Sequence, residues 1–132
     1  MIFIDTNVFL EVVLEREHAD ACAQLLSRLS QARGTTTDFG IYTIVLTLQR
    51  KKQPPEKIQK FLSLIHAIPN LVIYRPTLSD MQRAMEKTRD GMTFDDALVI
   101  ATMESQGIKK IASLDSDFDS FNEFENVLRP KR

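Results

Sequence analysis

Aspartates placed at the ends of short apolar runs are the residues of this chain that point to chemistry. Asp5 closes the run Met1-Ile2-Phe3-Ile4, Asp115 follows the run Lys110 to Leu114 with Asp117 two residues on, and Asp96 lies in the opening turn of a predicted helix. Runs this short read as strands buried on both faces, the habit of parallel sheets. Ligands of an open parallel sheet bind beyond the carboxyl ends of the strands, where the strand order reverses. If the first and fourth strands flank that crevice, Asp5 and Asp115 share one pocket, and Asp96 enters it from the same side.

Three carboxylates brought to ~5 Å repel by about 3 kcal/mol per pair at an effective dielectric of ~20. A cation makes such a cluster tolerable, and an all-oxygen donor set favours Mg²⁺ or Mn²⁺ over zinc. No zinc-like set competes: His18 and His66 fall in separate predicted helices, and Cys22 is the only cysteine. A hard cation held this way keeps several waters and takes a phosphate oxygen, and a pair of ions ~4 Å apart activates water and stabilises the leaving oxygen of a phosphodiester. Each acid also has a structural reading. Asp5 stands where a helix cap belongs, Thr93-x-x-Asp96 fits a capping arrangement, Asp115 and Asp117 suit turns, and Asp38 reads as a cap rather than a ligand. Spacing alone leaves both readings open.

The elements that must position these acids alternate along the chain. After the first strand, Val8, Phe9, Val12 and Val13 recur at helical spacing, and a second helix runs through Cys22, Leu25, Leu26 and Leu29 to a left-handed cap at Gly34. Thr35-Thr36-Thr37 is the second strand, and a helix capped by Asp38 continues through Ile41, Ile44, Val45 and Leu48 to about Lys52. Pro55 opens the next helix, with Ile58, Phe61, Leu62 and Ile65 on one face. Leu71 to Tyr74 is the third strand, Ser79 opens a helix, and another begins at Phe94-Asp95-Asp96 and closes at Gly107. Lys110 to Leu114 is the fourth strand, and a short last strand is expected around Val127. Strands separated by helices imply an α/β fold of three layers, with a parallel sheet of four to five strands covered on both faces.

Composition bounds the rest. At 132 residues, residues 1–132 form a single domain with no room for a second core. With 43% hydrophobic and 27% charged residues, the chain is neither disordered nor fibrous. Its 17 basic against 18 acidic side chains exclude a protein that coats nucleic acid by bulk charge. One cysteine demands no oxidising compartment, the start lacks the basic and apolar regions of a secretory leader, and the longest apolar run, Ala97 to Ala101, falls far short of a membrane span. A cytoplasmic location with no membrane partner is the expectation. The basic tail Arg129 to Arg132 is expected to fray.

Met1-Ile2-Phe3-Ile4-Asp5-Thr6-Asn7-Val8, Phe94-Asp95-Asp96-Ala97-Leu98-Val99-Ile100-Ala101 and Ile111-Ala112-Ser113-Leu114-Asp115-Ser116-Asp117-Phe118 together resemble the three motif regions of the PIN domain family, in order and across essentially the whole chain. The resemblance implies a Mg²⁺- or Mn²⁺-dependent ribonuclease, many such domains being toxins of the VapBC type that a small antitoxin inhibits. It implies that Asp5 and Asp96 are the principal metal-binding acids, that Asp115 is the later acid with Asp117 beside it, and that Asn7 and Ser113 are supporting polar residues. It also places the first strand beside the fourth. RNA as substrate, an antitoxin, and a second copy of the chain are the partners that follow. The early helices, through Phe9, Val13 and Leu14, offer either an apolar docking surface or core.

One departure stands out. The family usually carries a glutamate about one turn into the helix after the second strand, where this chain has Ile41-Tyr42-Thr43, with Asp38 and Glu11 as candidate substitutes. A PIN scaffold of weak catalysis that binds protein or RNA is therefore a competing reading. A phosphatase of the haloacid dehalogenase type also starts with a strand ending in Asp, but needs a second acid two residues later, where Asn7 stands. Candidate phosphate contacts are Arg50-Lys51-Lys52, Arg83, Lys87, Arg89 and Lys109-Lys110. Setting aside Asp5, Asp96, Asp115 and Asp117 as pocket acids turns the net charge of -1 into a surface of about three positive charges.

Overall fold

In the computed structural model, which describes residues 1–129, five parallel strands form one sheet in the order β3-β2-β1-β4-β5. Along the chain the elements are β1 Ile2–Ile4, α1 Thr6–Val13, α2 Ala19–Ser27, β2 Gly34–Thr37, α3 Asp38–Arg50, α4 Pro55–Ala67, β3 Leu71–Tyr74, α5 Leu78–Lys87, α6 Phe94–Gln106, β4 Lys110–Ala112 and β5 Glu125–Asn126. The first three strands build outward from β1 in one direction, and β4 and β5 in the other. The order therefore reverses between β1 and β4, and the expected adjacency of the first and fourth strands is met through Ile2, Phe3 and Ile4 against Lys110, Ile111 and Ala112.

Alternation along β1 divides the core. Ile4 points into a cluster with Val8, Phe9, Val13, Leu25, Leu29, Ile41, Leu48, Phe61 and Ile65, while Phe3 points to the other face with Ile100, Met103, Ile111, Phe118 and Phe124. A third cluster, Ala84, Ala97, Leu98 and Ala101, closes α5 onto α6, three of its four side chains being alanine methyls. Helices thus cover both faces, as the short apolar runs imply. Phe9 and Val13 are core, and Leu14 packs partly buried against it. Exposed apolar side chains lie elsewhere: Phe39, Tyr42 and Leu46 on α3, Leu62 on α4, Val72 and Ile73 on the edge strand β3, and Leu78 and Met85 on α5. Cys22 is wholly buried, and burial pushes its thiol up to about 11, with Glu11 adding to the shift.

Several boundaries differ from expectation for identifiable reasons. The second helix does not run to Gly34: α2 ends at Ser27 and passes through one 3₁₀ turn, Arg28–Ser30, and Gly34 opens β2 instead. Its glycine serves packing, since a Cβ there would stand 2.9 Å from Leu29 Cδ1. Thr37, not Asp38, caps α3: its hydroxyl accepts from Gly40 N at 3.0 Å, while the Asp38 carboxylate accepts from its neighbour Phe39 N. Helix α5 begins at Leu78 rather than Ser79, because Thr77 and Asp80 form a reciprocal capping box. The fourth strand stops at Ala112, and the last one is Glu125–Asn126, just ahead of Val127. Within the basic tail Arg129 pairs with Asp119 at 2.9 Å; residues 130–132 lie outside the described residues.

Among the described residues, no helix is long and apolar enough to cross a membrane. The start of α3 lies tight against the start of α1, where a Cβ on Gly40 would fall 2.5 Å from Thr6 Cγ2. Gly40→Ala is therefore expected to cost about 1–3 kcal/mol by overpacking. Urea unfolding of the variant measures this, and Thr6→Ser, which removes the opposing methyl, should recover much of the loss.

Candidate metal centre

Asp5 leaves β1 at the reversal point, its backbone N–H held by Ala112 O at 2.9 Å. It occupies the N-cap position of α1, yet its carboxylate makes no side-chain cap hydrogen bond. Side-chain donors from its surroundings hold the carboxylate instead. Ser113 Oγ donates to Asp5 Oδ2 at 2.6 Å and Asn7 Nδ2 to the same oxygen at 3.2 Å. Asn7 turns its other end across the crevice, where Oδ1 accepts from Leu114 N at 3.3 Å. Ser113 also accepts from Asp115 N at 3.0 Å, so one buried hydroxyl spans the acids of two strand ends.

Past Ser113 the chain turns through Asp115, whose carboxylate accepts from Asp117 N at 2.9 Å and caps the 3₁₀ turn Ser116–Phe118. This turn-forming role is real, and it coexists with a second arrangement. One carboxylate oxygen each from Asp96, Asp115 and Asp117 lies within 4.8 Å of the others. Asp96 arrives from the first turn of α6. Its N-cap residue, Thr93, makes no side-chain cap hydrogen bond, so the Thr93-x-x-Asp96 box is not formed.

Electrostatics register the crowding. Burial raises the Asp5 carboxyl above its ordinary range against the opposing hydrogen bond of Ser113, and the charges of Asp115 and Asp95 add to the rise. Asp96 is pushed up to about 7, chiefly by desolvation, then by Asp115 and Asp117. A set of oxygen donors this close, one of them reluctant to ionise, fits a hard divalent cation that would replace the missing positive charge.

Beside these acids lies a cavity of about 60 Å³ lined by Asp5, Thr6, Thr37, Gly40, Thr43, Asp95 and Asp96. The opening turns of α3 form one wall of it. Ile41 is core and Tyr42 exposed, while Phe39 and Thr43 are the α3 side chains at the cavity, the Thr43 hydroxyl donating to Phe39 O. Asp38 does not reach the acidic group, and Glu11 is turned away to accept from His18 N at 2.9 Å across the α1–α2 corner. Asp95 is a cavity-lining acid that spacing arguments passed over, although its place next to Asp96 was a usable signal. Of the candidate phosphate contacts, Arg83 and Lys87 are engaged by Asp80 and Glu104, and Arg50 to Lys52 sit at the end of α3 away from the acids.

A carboxyl whose pKa rises on folding binds protons more tightly in the folded chain, so its contribution to stability falls as pH climbs from the ordinary value of 3.8 towards about 7. The metal-free protein should therefore melt at a lower temperature at pH 8 than at pH 5. Calorimetric melting across that range checks this. Asp96→Asn is expected to flatten the decline, and added Mn²⁺ to raise the midpoint mainly at the high-pH end.

The family model for the PIN domain matches residues 2–123. Among solved structures, the chain is similar to VapC20 of Mycobacterium tuberculosis, described as a sarcin-ricin loop cleaving toxin, at 17% identity and a TM-score of 0.75, covering 92% of this chain and 95% of that one. It is also similar to VapBC2 of Rickettsia felis bound to a DNA fragment from its promoter, at 14% identity and a TM-score of 0.70 over 94% and 96% of the two chains. A toxin-antitoxin complex from Klebsiella pneumoniae gives 13% identity and a TM-score of 0.68 over 94% and 95%. Comparison with curated proteins gives no match. The structural likenesses are likenesses of fold, and they agree with the strand order and layers described above. Matched by the family model over nearly its whole length, this chain belongs to the PIN domain family.

Proposed function

We propose that residues 1–132 form a single PIN-like domain that acts as a Mg²⁺- or Mn²⁺-dependent endoribonuclease in the cytoplasm, the toxin of a VapBC-type pair. The observation that carries this reading is the group of oxygens from Asp96, Asp115 and Asp117 at the sheet's reversal point, with Asp5 pinned beside it. Membership of the family supports nuclease chemistry, and toxin and toxin-antitoxin structures among the similar folds support the biological setting.

In this reading Asp5, Asp96, Asp115 and Asp117 would hold the cation. A bound Mg²⁺ or Mn²⁺ supplies an activated water and withdraws charge from a phosphate oxygen. Ser113 and Asn7 keep the Asp5 carboxylate oriented and favour its ionised form, which a ligand to a divalent cation must adopt. Asp117 N–H donates to the Asp115 carboxylate and Asp115 N–H to Ser113 Oγ, so the Asp115 carboxylate is preset rather than free to rotate away. Exposed Asp117 and half-buried Asp96 leave the group open to a polymeric substrate from the solvent side. RNA is the substrate. The apolar groove between α3 and α4, lined by Val45, Ile58 and Leu62, suits an antitoxin segment, and the exposed apolar residues of α3 and α5 suit a second copy.

A second reading, a PIN scaffold of weak catalysis that works by binding, draws on one observation: no carboxylate from α3 enters the cavity, where Thr43 stands. Cleavage of structured RNA with Mn²⁺ separates the two. Asp5→Asn and Asp96→Asn are each expected to slow cleavage by about 100-fold or more, as loss of a directly placed catalytic group does; variants that cut as fast as the parent would sink the nuclease assignment. Thr43→Glu should raise the rate, and a parent that is inactive while this variant cuts would identify the missing carboxylate as the reason.

A further inference from the structure

From the way β5 ends against β4, we infer that Asn126 is a positioning residue for the metal-binding acids, acting through the Ser113 peptide; this rests on the metal-dependent reading proposed above. The backbone ladder between the two strands runs Glu125 N to Lys109 O and Val127 N to Ile111 O, both at 2.8 Å. One more rung in the same register would bring the peptide groups of Ser113 to Val127 O and Arg129 N. That rung is absent, because Arg129 N folds back onto Asn126 O at 3.2 Å. The Asn126 side chain takes its place. Its Oδ1 accepts from Ser113 N at 3.2 Å and its Nδ2 donates to Ser113 O at 3.0 Å, while the same Oδ1 accepts from Leu128 N at 3.1 Å.

Asparagine suits this role by its chemistry. A single planar amide presents one acceptor and one donor at the spacing of a peptide, so it satisfies both groups of Ser113 where the strand itself has turned away. Both residues are buried, Ser113 at 0% and Asn126 at 8% exposure, so water offers no replacement. Aspartate would leave Ser113 O facing a second acceptor, and an apolar side chain would leave both peptide groups unpaired.

The consequence reaches the acids. Ser113 is the residue whose hydroxyl donates to Asp5 and accepts from Asp115 N. A hydroxyl sets its direction from its own backbone, and Asn126 fixes that backbone on the side opposite the crevice. Asn126 never touches the cation or the substrate; it holds the frame from which Asp5 and Asp115 are aimed. Such outer contacts change metal affinity by roughly 10–100-fold when removed.

Calorimetric titration with Mn²⁺, run well below the melting temperature of each variant, tests the assignment. Asn126→Ala is expected to fold, to melt earlier, and to weaken Mn²⁺ binding by about tenfold. On a Ser113→Ala background the same change should add no more than about twofold, since both act along one chain of contacts. Asn126→Gln, which keeps the amide but displaces it by one methylene, should show a partial loss and is read in the same way if Asn126→Ala does not fold. A folded Asn126 variant that melts earlier yet binds Mn²⁺ as the parent does would overturn the inference and leave the nuclease reading intact. A parent that binds no Mn²⁺ would overturn both, and its own isotherm tells the two failures apart.

Discussion

Asp96, Asp115 and Asp117 meet at one end of the sheet with Asp5 and Asp95 close by, and ionised carboxylates at such spacing repel by a few kcal/mol per pair. Much of the surrounding structure is an answer to that repulsion. Donors converge on the acids from both strand ends: the Ser113 hydroxyl and the Asn7 amide onto Asp5, and the Asp117 peptide onto Asp115. Burial first, and the charge of Asp115 after it, raise the affinity of Asp96 for a proton. The acids are held in place because they follow the adjacent strands β1 and β4 and open a helix whose buried face is packed in the core.

The order of layers was legible from residue patterns because both signals were strong. The run Ile2-Phe3-Ile4 is apolar at every position, and the structure sends Phe3 to one core and Ile4 to the other. The acids themselves were legible from their place after such runs. The choice between cap and ligand was not, because both roles want the same residue at the same position. Side-chain hydrogen bonds separate them: Asp5 sits at the cap position without capping, whereas Asp115 caps a turn and still offers an oxygen to the acidic group. Asn126 carried no signal at all. Its part depends on where a two-residue strand stops, a matter of register between segments far apart in sequence.

Helix α3 shows how packing and chemistry share a boundary. Gly40 lets the helix start against Thr6, which brings Thr43 to the cavity beside Asp5 and Asp96. The scaffold thus brings Phe39 and Thr43 of α3 to the cavity, with the Thr43 hydroxyl bonded back to Phe39 O. Among the described residues, no carboxylate of α3 lines that cavity.

The strand order also governs when the site can exist. β1 is made first but occupies the middle of the sheet, and its partner on one side, β4, follows only after α6. The Ser113–Asp5 bond closes a separation of 108 residues. Contacts so distant in sequence form late and carry a high loop-closure entropy. A growing chain emerging from the ribosome therefore presents Asp5 with Asn7 but without Ser113 until the segment through β4 has been synthesised, and a product truncated before β4 lacks the hydroxyl that holds the Asp5 carboxylate.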